Sequence, residues 1–261
     1  MSYKAYAGTG TVYMAPVDEA GVKTGPFRQV GDAYPLSIQV TTDQIKKKSR
    51  MVERSGQIIA ARTKIGDEGI TGNLTLHEWN AANLAWALSG SATETTTAGA
   101  TVSTEAYEMG EAGEWIQIGG ATPRRNISAV TVTSDPAGTT YVLDTDYTLD
   151  TTLGLITPIA GRPLAAGAVD VLITYTYAAK TNYQVDIGSN VQIRVAILAH
   201  LYDEFRQAHY TMELDSVVLA ASQEINFISE EDSTGELIQF SMTLETLTGS
   251  SSPGRIDGVP M

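Results

Sequence analysis

The feature that most constrains the fold of this chain is a two-residue alternation of apolar and polar side chains. Segments 36–43 and 70–76 carry it in the N-terminal half, and segments 210–215 and 238–245 carry it near the C-terminus. A period of two with one polar face is typical of a sheet that is buried on one side only. The sequence therefore predicts a mainly β fold whose sheet keeps a polar, accessible face.

The polar face of these four segments is mostly small and uncharged. Its charged members are four carboxylates, and the pattern assigns no cation to it. A sheet face that meets only bulk water usually mixes Lys with Glu, so this composition favours a surface along which another molecule moves. An ordinary solvated face is the alternative interpretation. The residues predicted to share this face are Asp43, Thr71, Asn73, Glu213, Asp215, Gln239, Thr243 and Glu245.

Composition excludes several classes of function. The 261 residues are enough for one large all-β domain or two smaller ones. A net charge of −13 argues against tight nucleic-acid binding, which needs clustered Lys and Arg to neutralise phosphates. The absence of cysteine excludes disulfides and thiolate chemistry. No apolar stretch has the length of a membrane span, and the N-terminus lacks an apolar signal core, so we expect cytosolic synthesis and no membrane partner.

The connection between the first two alternating segments is basic. Within residues 44–57, one acid, Glu53, accompanies five cations, Lys46, Lys47, Lys48, Arg50 and Arg54. On a strongly acidic chain, such a loop can dock on the acidic surface of another copy and give an interface that propagates. A surface loop whose charge only aids solubility is the alternative. The first interpretation makes these five cations a stacking loop between successive copies.

A short amphipathic helix is predicted directly after the second alternating segment. The sequence LHEWNAANLAWALSG, residues 76–90, places Trp79, Leu84 and Trp86 on a broad apolar face, and Gly90 stands at the position that often ends a helix. We expect this helix to pack against the outside of a sheet.

The middle of the chain has a different organisation. Residues 91–104 are small, polar and of low complexity, which predicts a linker or long loop. Five short β-rich runs then follow at a spacing near ten residues, which is typical of a small sandwich or barrel. We therefore divide the chain into a main domain of residues 1–105 and 180–261 and an inserted β-sandwich module of residues 106–179.

No arrangement of residues predicts an enzyme, a cofactor or a metal site. His77, His200 and His209 lack metal-ligand spacing. The acidic run 144–150 lacks the glycine and distal glutamate of a calcium loop, and a turn is the simpler interpretation. A carboxylate pair for glycoside hydrolysis is left open at residues 230–232, where a solvated hairpin tip is favoured.

Residues 36–90 together resemble the core of the major tail tube proteins of long-tailed, siphovirus-like bacteriophages, which share a fold with type VI secretion tubes. The resemblance lies in the strand LSIQVTTD, the basic connection, the strand ITGNLTL and the helix containing NLAWALSG. Its most specific stretch is GITGNLTLHEWNAANLAWALSG, residues 69–90. HYTMELDSVVL and LIQFSMTLETL near the C-terminus are also similar. The run YVLDTDYTLDTTLGLITPIA, residues 141–160, resembles immunoglobulin-like modules of phage structural proteins.

The resemblance implies a structural virion protein that is made in the host cytoplasm. Six subunits would close a ring around an inner β-barrel, and rings would stack into a tube that conducts DNA without binding it specifically. Implied partners are further copies of the chain, a tape measure protein, and tail terminator and distal tail proteins. An acidic lumen would repel DNA over a Debye length of about 8–10 Å. The alternative is an extracellular or surface β-sandwich that binds carbohydrate, which requires an exposed aromatic platform, with Trp115 as the candidate.

Overall fold

The computed structural model describes residues 8–228 and 237–258, which are predominantly β-strand, and the prediction of a mainly β fold is confirmed. These residues form one α-helix, α1 (Ala81–Ala87), and the strands β1 (Gly8–Pro16), β2 (Arg28–Gln29), β3 (Ala33–Lys48), β4 (Ile58–Leu76), β5 (Ser91–Thr97), β6 (Ala100–Met109), β7 (Ile116–Gln117), β8 (Ile127–Ser134), β9 (Thr140–Tyr141), β10 (Tyr147–Asp150), β11 (Leu155–Pro158), β12 (Val169–Tyr177), β13 (Lys180–Asp186), β14 (Ile193–Asp203), β15 (Ala208–Ala221), β16 (Ile238–Leu244) and β17 (Gly254–Asp257).

The chain divides into two compact units. Unit 1 comprises Met1–Thr93 and Tyr183–Met261, and unit 2 comprises Glu94–Asn182. Each unit has a hydrophobic core of its own. Each is therefore described by itself.

Unit 1 is built on one antiparallel sheet with the strand order β2-β1-β14-β15-β16-β4-β3, and β17 pairs with β15 beside β16. The alternation in the sequence sets its register, because directly opposite residues point to the same face. Phe240 lies opposite Leu74, and Met242 lies opposite Leu219, so apolar residues of adjacent strands meet on one face. This face is the core of unit 1, and its largest fully buried side chains include Met14, Leu74, Leu76, Ile197 and Phe240.

The helix α1 begins later than the sequence predicts. Asn80 has an extended backbone and caps the helix, because its side-chain oxygen accepts hydrogen bonds from the backbone N–H groups of Ala82 and Asn83. The Asn83 amide donates to the carbonyl oxygens of Val30, at 2.9 Å, and Glu78, at 3.0 Å. The helix buries Asn83, Ala85, Trp86 and Ala87, whereas Trp79 lies before it and is exposed. The prediction that Trp79 and Leu84 lie on the buried apolar face of this helix is therefore wrong.

Unit 2 contains two antiparallel sheets, with the strand orders β10-β11-β7 and β6-β12-β8-β9. Both sheets contribute to one core, in which Ile156 and Tyr147 of the first sheet join Ile173 and Val132 of the second. Two sheets that share a core are the arrangement of a β-sandwich.

The prediction of a linker over residues 91–104 is wrong. This segment contains β5 and the first half of β6; β5 pairs with β13 in a two-stranded sheet, and β6 pairs with β12. The segment is rich in Thr, whose branched side chain favours strands, so its low complexity hid a β-forming composition. In addition, the hydroxyls of Thr96 and Thr181 lie 3.1 Å apart on β5 and β13.

We expect unit 1 to fold without unit 2 when residues 98–179 are replaced by Asn-Gly. The replacement turns β5 and β13 into a hairpin with a favoured two-residue turn, and it leaves the core of unit 1 intact. The far-ultraviolet circular dichroism spectrum and a cooperative thermal transition check this expectation. A chain joined by Gly-Pro, which disfavours the turn, is the control. Loss of cooperative unfolding in the Asn-Gly chain would show that unit 1 depends on unit 2.

Candidate functional site

The register of the unit 1 sheet brings polar side chains of three strands together on the face opposite the core. Gln39, Thr71 and Thr243 form one row across β3, β4 and β16, and Asn73 and Ser241 lie in the next row. Gln239 follows on β16, opposite Thr75. We call Gln39, Thr71, Asn73, Gln239, Ser241 and Thr243 the polar face. Four of the residues predicted from sequence, Thr71, Asn73, Gln239 and Thr243, belong to it.

Glu245 continues this face but is paired with a cation. The carboxylate of Glu245 lies 3.0 Å from Nε of Arg194, and it also accepts a hydrogen bond from the hydroxyl of Ser216 at 3.2 Å. A second ion pair joins Arg194 to Glu19 at 3.5 Å. The hydrogen bond with Glu245 and the two nearby carboxylates raise the pKa of Arg194, although partial desolvation opposes the shift. A cation therefore stands at the end of the polar face.

Glu213 has a cationic partner as well. Nη2 of Arg255 on β17 lies 2.7 Å from its carboxylate, and Nε of Arg255 lies 3.2 Å from that of Asp257. Asp215 is exposed, and its carboxylate has no ion-pair partner in the part of the chain that the structure describes. The prediction that the acids of this face are without cations is wrong, because Arg194 and Arg255 come from strands that were not included in it.

Asp43 belongs to a different surface. Beyond the irregularity at Val40 and Thr42, strands β3 and β4 leave the main sheet pattern and continue as a two-stranded arm, in which residues 42–48 pair with residues 58–65. We call residues 42–65 the basic arm. Asp43 lies opposite Lys64 within it, so the structure does not bring Asp43 together with the polar face.

The predicted stacking loop is mostly strand. Lys46, Lys47 and Lys48 lie on β3, and only Arg50 and Arg54 lie in the connection. The turn is closed by Ser49, whose backbone N–H donates to the carbonyl of Gln57 at 2.8 Å. The two-residue alternation predicts renewed pairing only from residue 70, although the β-branched residues between 58 and 65 signal an earlier start.

The basic arm combines positive charge with exposed apolar side chains. Arg62 and Lys64 on β4 add to the five predicted cations, so the arm holds seven of the 17 Lys and Arg residues and two acids, Asp43 and Glu53. Its large exposed apolar side chains are Ile45, Met51, Ile58, Ile59 and Ile65. A lone two-stranded hairpin is only marginally stable in water, and clustered exposed apolar groups mark an interaction surface. The arm therefore has the properties of one half of an interface.

Unit 2 contains a cluster of ionisable groups at the edge of its core. The hydroxyl of Tyr175 donates to the Glu105 carboxylate at 2.8 Å, and the hydroxyl of Tyr107 accepts from the backbone N–H of Gly119 at 2.6 Å. Burial, followed by interaction with Glu105, raises the pKa of Tyr175 to about 12 and also raises that of Tyr107. The cluster has the character of a half-buried hydrogen-bonded network.

Two of the three histidines come together in the structure. His200 and His209 stack with their ring centroids 4.9 Å apart, and His77 stacks on Tyr34. Within the described residues, no three His, Cys, Asp or Glu side chains are grouped to hold a metal ion. Residues 230–232 lie outside the described residues. Trp115 is 50% exposed in unit 2, whereas Trp86 is buried. Among the described residues, no helix has the length and apolar character needed to cross a membrane.

Comparison with known proteins assigns the chain to a family. The family model described as "protein of unknown function UCP028589" matches residues 5–251, and the chain belongs to this family. No curated protein matches the chain.

We expect the stability of unit 2 to fall between about pH 10 and pH 12. The ordinary pKa of tyrosine is about 10, and that of Tyr175 is raised to about 12. The folded state thus holds this proton more tightly than the unfolded chain does. Its contribution to stability is complete below the ordinary pKa and is lost as the pH rises through the raised one.

Denaturant unfolding at increasing pH measures this effect. The variant Tyr175→Phe should reduce the slope of stability against pH, whereas Tyr183→Phe, at an exposed position, should leave it unchanged. An unaltered slope in Tyr175→Phe would contradict the assignment.

Proposed function

We propose that this protein is the repeating subunit of a bacteriophage tail tube, in which hexameric rings stack and enclose a channel for DNA. The observation that carries the proposal is the basic arm, a long hairpin with seven cations and a set of exposed apolar side chains on a chain of net charge −13. Such an arm gains stability when it meets a surface that covers its apolar groups and supplies carboxylates. Other copies of the same chain supply those carboxylates.

The pairing of opposite charges also explains why the contact propagates. The basic arm and the acidic remainder of the subunit are different surfaces, so a contact between them is heterologous and leaves both surfaces available on the next copy. Each exposed ion pair contributes only about 0–1 kcal/mol. A ring multiplies the contact over its subunits, and the apolar side chains of the arm add burial to it.

The polar face supplies the channel wall in this proposal. Its residues are short and uncharged, and the cations beside it, Arg194 and Arg255, are held by Glu245 and Glu213. A DNA phosphate that passes this face meets no free guanidinium or ammonium group among these residues, and counterion release therefore gives it little affinity. In this proposal, the low affinity of the polar face for DNA results from neutralised cations more than from an excess of negative charge.

Electron microscopy of the purified protein at high concentration tests the proposal. Rings or tubes with a central hole support it, and persistent monomers contradict it. The second candidate function is carbohydrate binding by unit 2, and the exposure of Trp115 favours it. Monomers that bind sugars, and that lose this binding in Trp115→Ala, would support that second function.

We expect the triple variant Lys46→Glu, Lys47→Glu, Lys48→Glu to remain folded and to stop forming tubes. The three side chains are exposed, so the change affects the fold little, while it reverses the charge of the arm. Negative-stain images and sedimentation measure tube length, and high salt should partly reproduce the defect in the wild type.

A matched control changes Arg125, Arg162 and Lys180 to Glu. These exposed cations lie outside the arm, and their reversal alters the net charge by the same amount. Tubes of normal length from the Lys46, Lys47 and Lys48 variant, or equal loss of tubes in the control, would show that the arm does not join the rings.

We expect Gln239→Lys with Thr243→Lys to permit tube assembly and to slow the passage of DNA. Both side chains lie on the polar face, where new ammonium groups would attract phosphates. Glu245 is left unchanged because it holds Arg194. The rate of DNA release from assembled virions is the measurement, with Gln239→Asn and Thr243→Asn as the control. Equal rates in both variants would exclude the polar face from the channel.

A further inference from the structure

A groove of unit 1 lies away from the basic arm and reaches the end of the polar face at Arg194. It has a volume of about 440 Å³ and lies between helix α1, the segment that follows β1, and residues 90–92 and 190–194. Small or neutral side chains form most of its wall, including Ala82, Ala85, Gly90 and Ser91. These residues leave room for an extended segment of another chain.

Arg28 presents an uncompensated positive charge in this groove. Its guanidinium lies over the ring of Trp86, 4.1 Å from the ring centroid, which holds it in place. No carboxylate pairs with it, and no hydrogen bond from it occurs, among the residues that the structure describes. Although Arg28 as a residue is exposed, contact with the groove wall desolvates the guanidinium enough to lower its pKa. The group stays charged, because its ordinary pKa lies above 12.

The second arginine of the groove differs from Arg28 in this respect. Arg194 also lines the groove, but Glu245 and Glu19 already occupy its hydrogen-bonding edge. The chain has 30 acidic residues against 17 basic ones, so another copy carries many carboxylates that could pair with Arg28. The Arg28 guanidinium lies over the Trp86 ring, and a planar guanidinium can bind a carboxylate through two parallel hydrogen bonds.

We infer that this groove binds a carboxylate-bearing extended segment of a second copy of the chain, with Arg28 as the group that recognises the carboxylate. The surplus of acids makes another copy the occupant whose charge fits best. The inference rests on the proposed self-assembly, and it adds an assembly contact that does not involve the basic arm. The neutral groove wall accepts the backbone of the segment, and Arg28 fixes its register.

The test compares the self-association of the full chain with that of Arg28→Gln by sedimentation velocity. Gln keeps a planar group over Trp86, but it removes the positive charge and the parallel N–H donors of the guanidinium. We expect Arg28→Gln to weaken self-association by at least about tenfold, in line with the loss of a charge-assisted hydrogen bond. Arg28→Lys should restore it in part, because an ammonium group retains the charge without the fork.

The chain offers a matched control in Lys23→Gln. Lys23 lies on the same segment, with its ammonium 5.0 Å from the ring centroid of Phe27, and it does not line the groove. The control removes the same charge from an exposed cation–π pair and should leave self-association unchanged within about twofold. An equal loss of self-association in Lys23→Gln would show that the effect of Arg28 comes from net charge alone, and this result would overturn the inference.

A peptide-binding experiment reports on the groove directly. The probe is a capped Ala-Glu-Ala tripeptide, compared with capped Ala-Gln-Ala, and the signal is the Trp86 indole N–H resonance at protein concentrations where the chain is monomeric. We expect the Glu peptide to shift this resonance in the wild type and not in Arg28→Gln. No shift with the Glu peptide would overturn the inference.

The outcomes separate this inference from the proposed function. If the wild type assembles and Arg28→Gln assembles equally well, the groove contact is wrong and the tail tube proposal stands. If the wild type does not assemble under any condition tested, the tail tube proposal fails, and a second copy is excluded as the occupant whatever the peptide shows.

Discussion

The register between β16 and β4 is the constraint on which the rest of unit 1 depends. Phe240 lies opposite Leu74 and Thr243 lies opposite Thr71, so this one alignment assigns apolar residues to the core and polar residues to the accessible face. A shift of one residue would exchange the two faces along the whole strand. The next strand follows the same alignment, because Leu219 of β15 lies opposite Met242 of β16.

The irregularity in β15 shows how the sheet accommodates charge. Between the pairs Val195–Val217 and Ile197–Leu214, two residues of β15, Asp215 and Ser216, stand opposite one residue of β14, so the alternation of β15 is reset at that point. Ser216 is buried, and its hydroxyl donates to Glu245, which in turn holds Arg194. A local break in pairing thus creates the partner that neutralises a cation at the rim of the polar face.

Sequence reasoning succeeded where the signal was local. The alternation around Leu74 and Phe240 predicted the mainly β fold and the polar face, because side-chain direction in a strand follows from sequence spacing alone. It failed for pairings between distant residues. Arg194 and Glu245 are 51 positions apart, and no spacing rule links them. The groove residue Arg28 was missed for the same reason, since its contact with Trp86 exists only after β2 and α1 have been brought together.

Two further differences arise from composition. The Thr-rich segment that became β5 and β6 has the low complexity of a linker, but its branched side chains favour extended backbone, and partners in β13 and β12 supply the hydrogen bonds.

The second difference concerns the basic arm, whose charge favours a loop when the sequence alone is considered. In the structure the arm is paired strand, and an apolar residue can lie directly opposite a cationic one, as Ile45 lies opposite Arg62. Lys46 and Lys48 are two positions apart on one strand and so point to the same side, where they repel each other. Neither the exposed isoleucines nor this repulsion is relieved within the arm, and an acidic surface that covered the arm would relieve both. The charge of the arm thus specifies the sign that such a surface would carry.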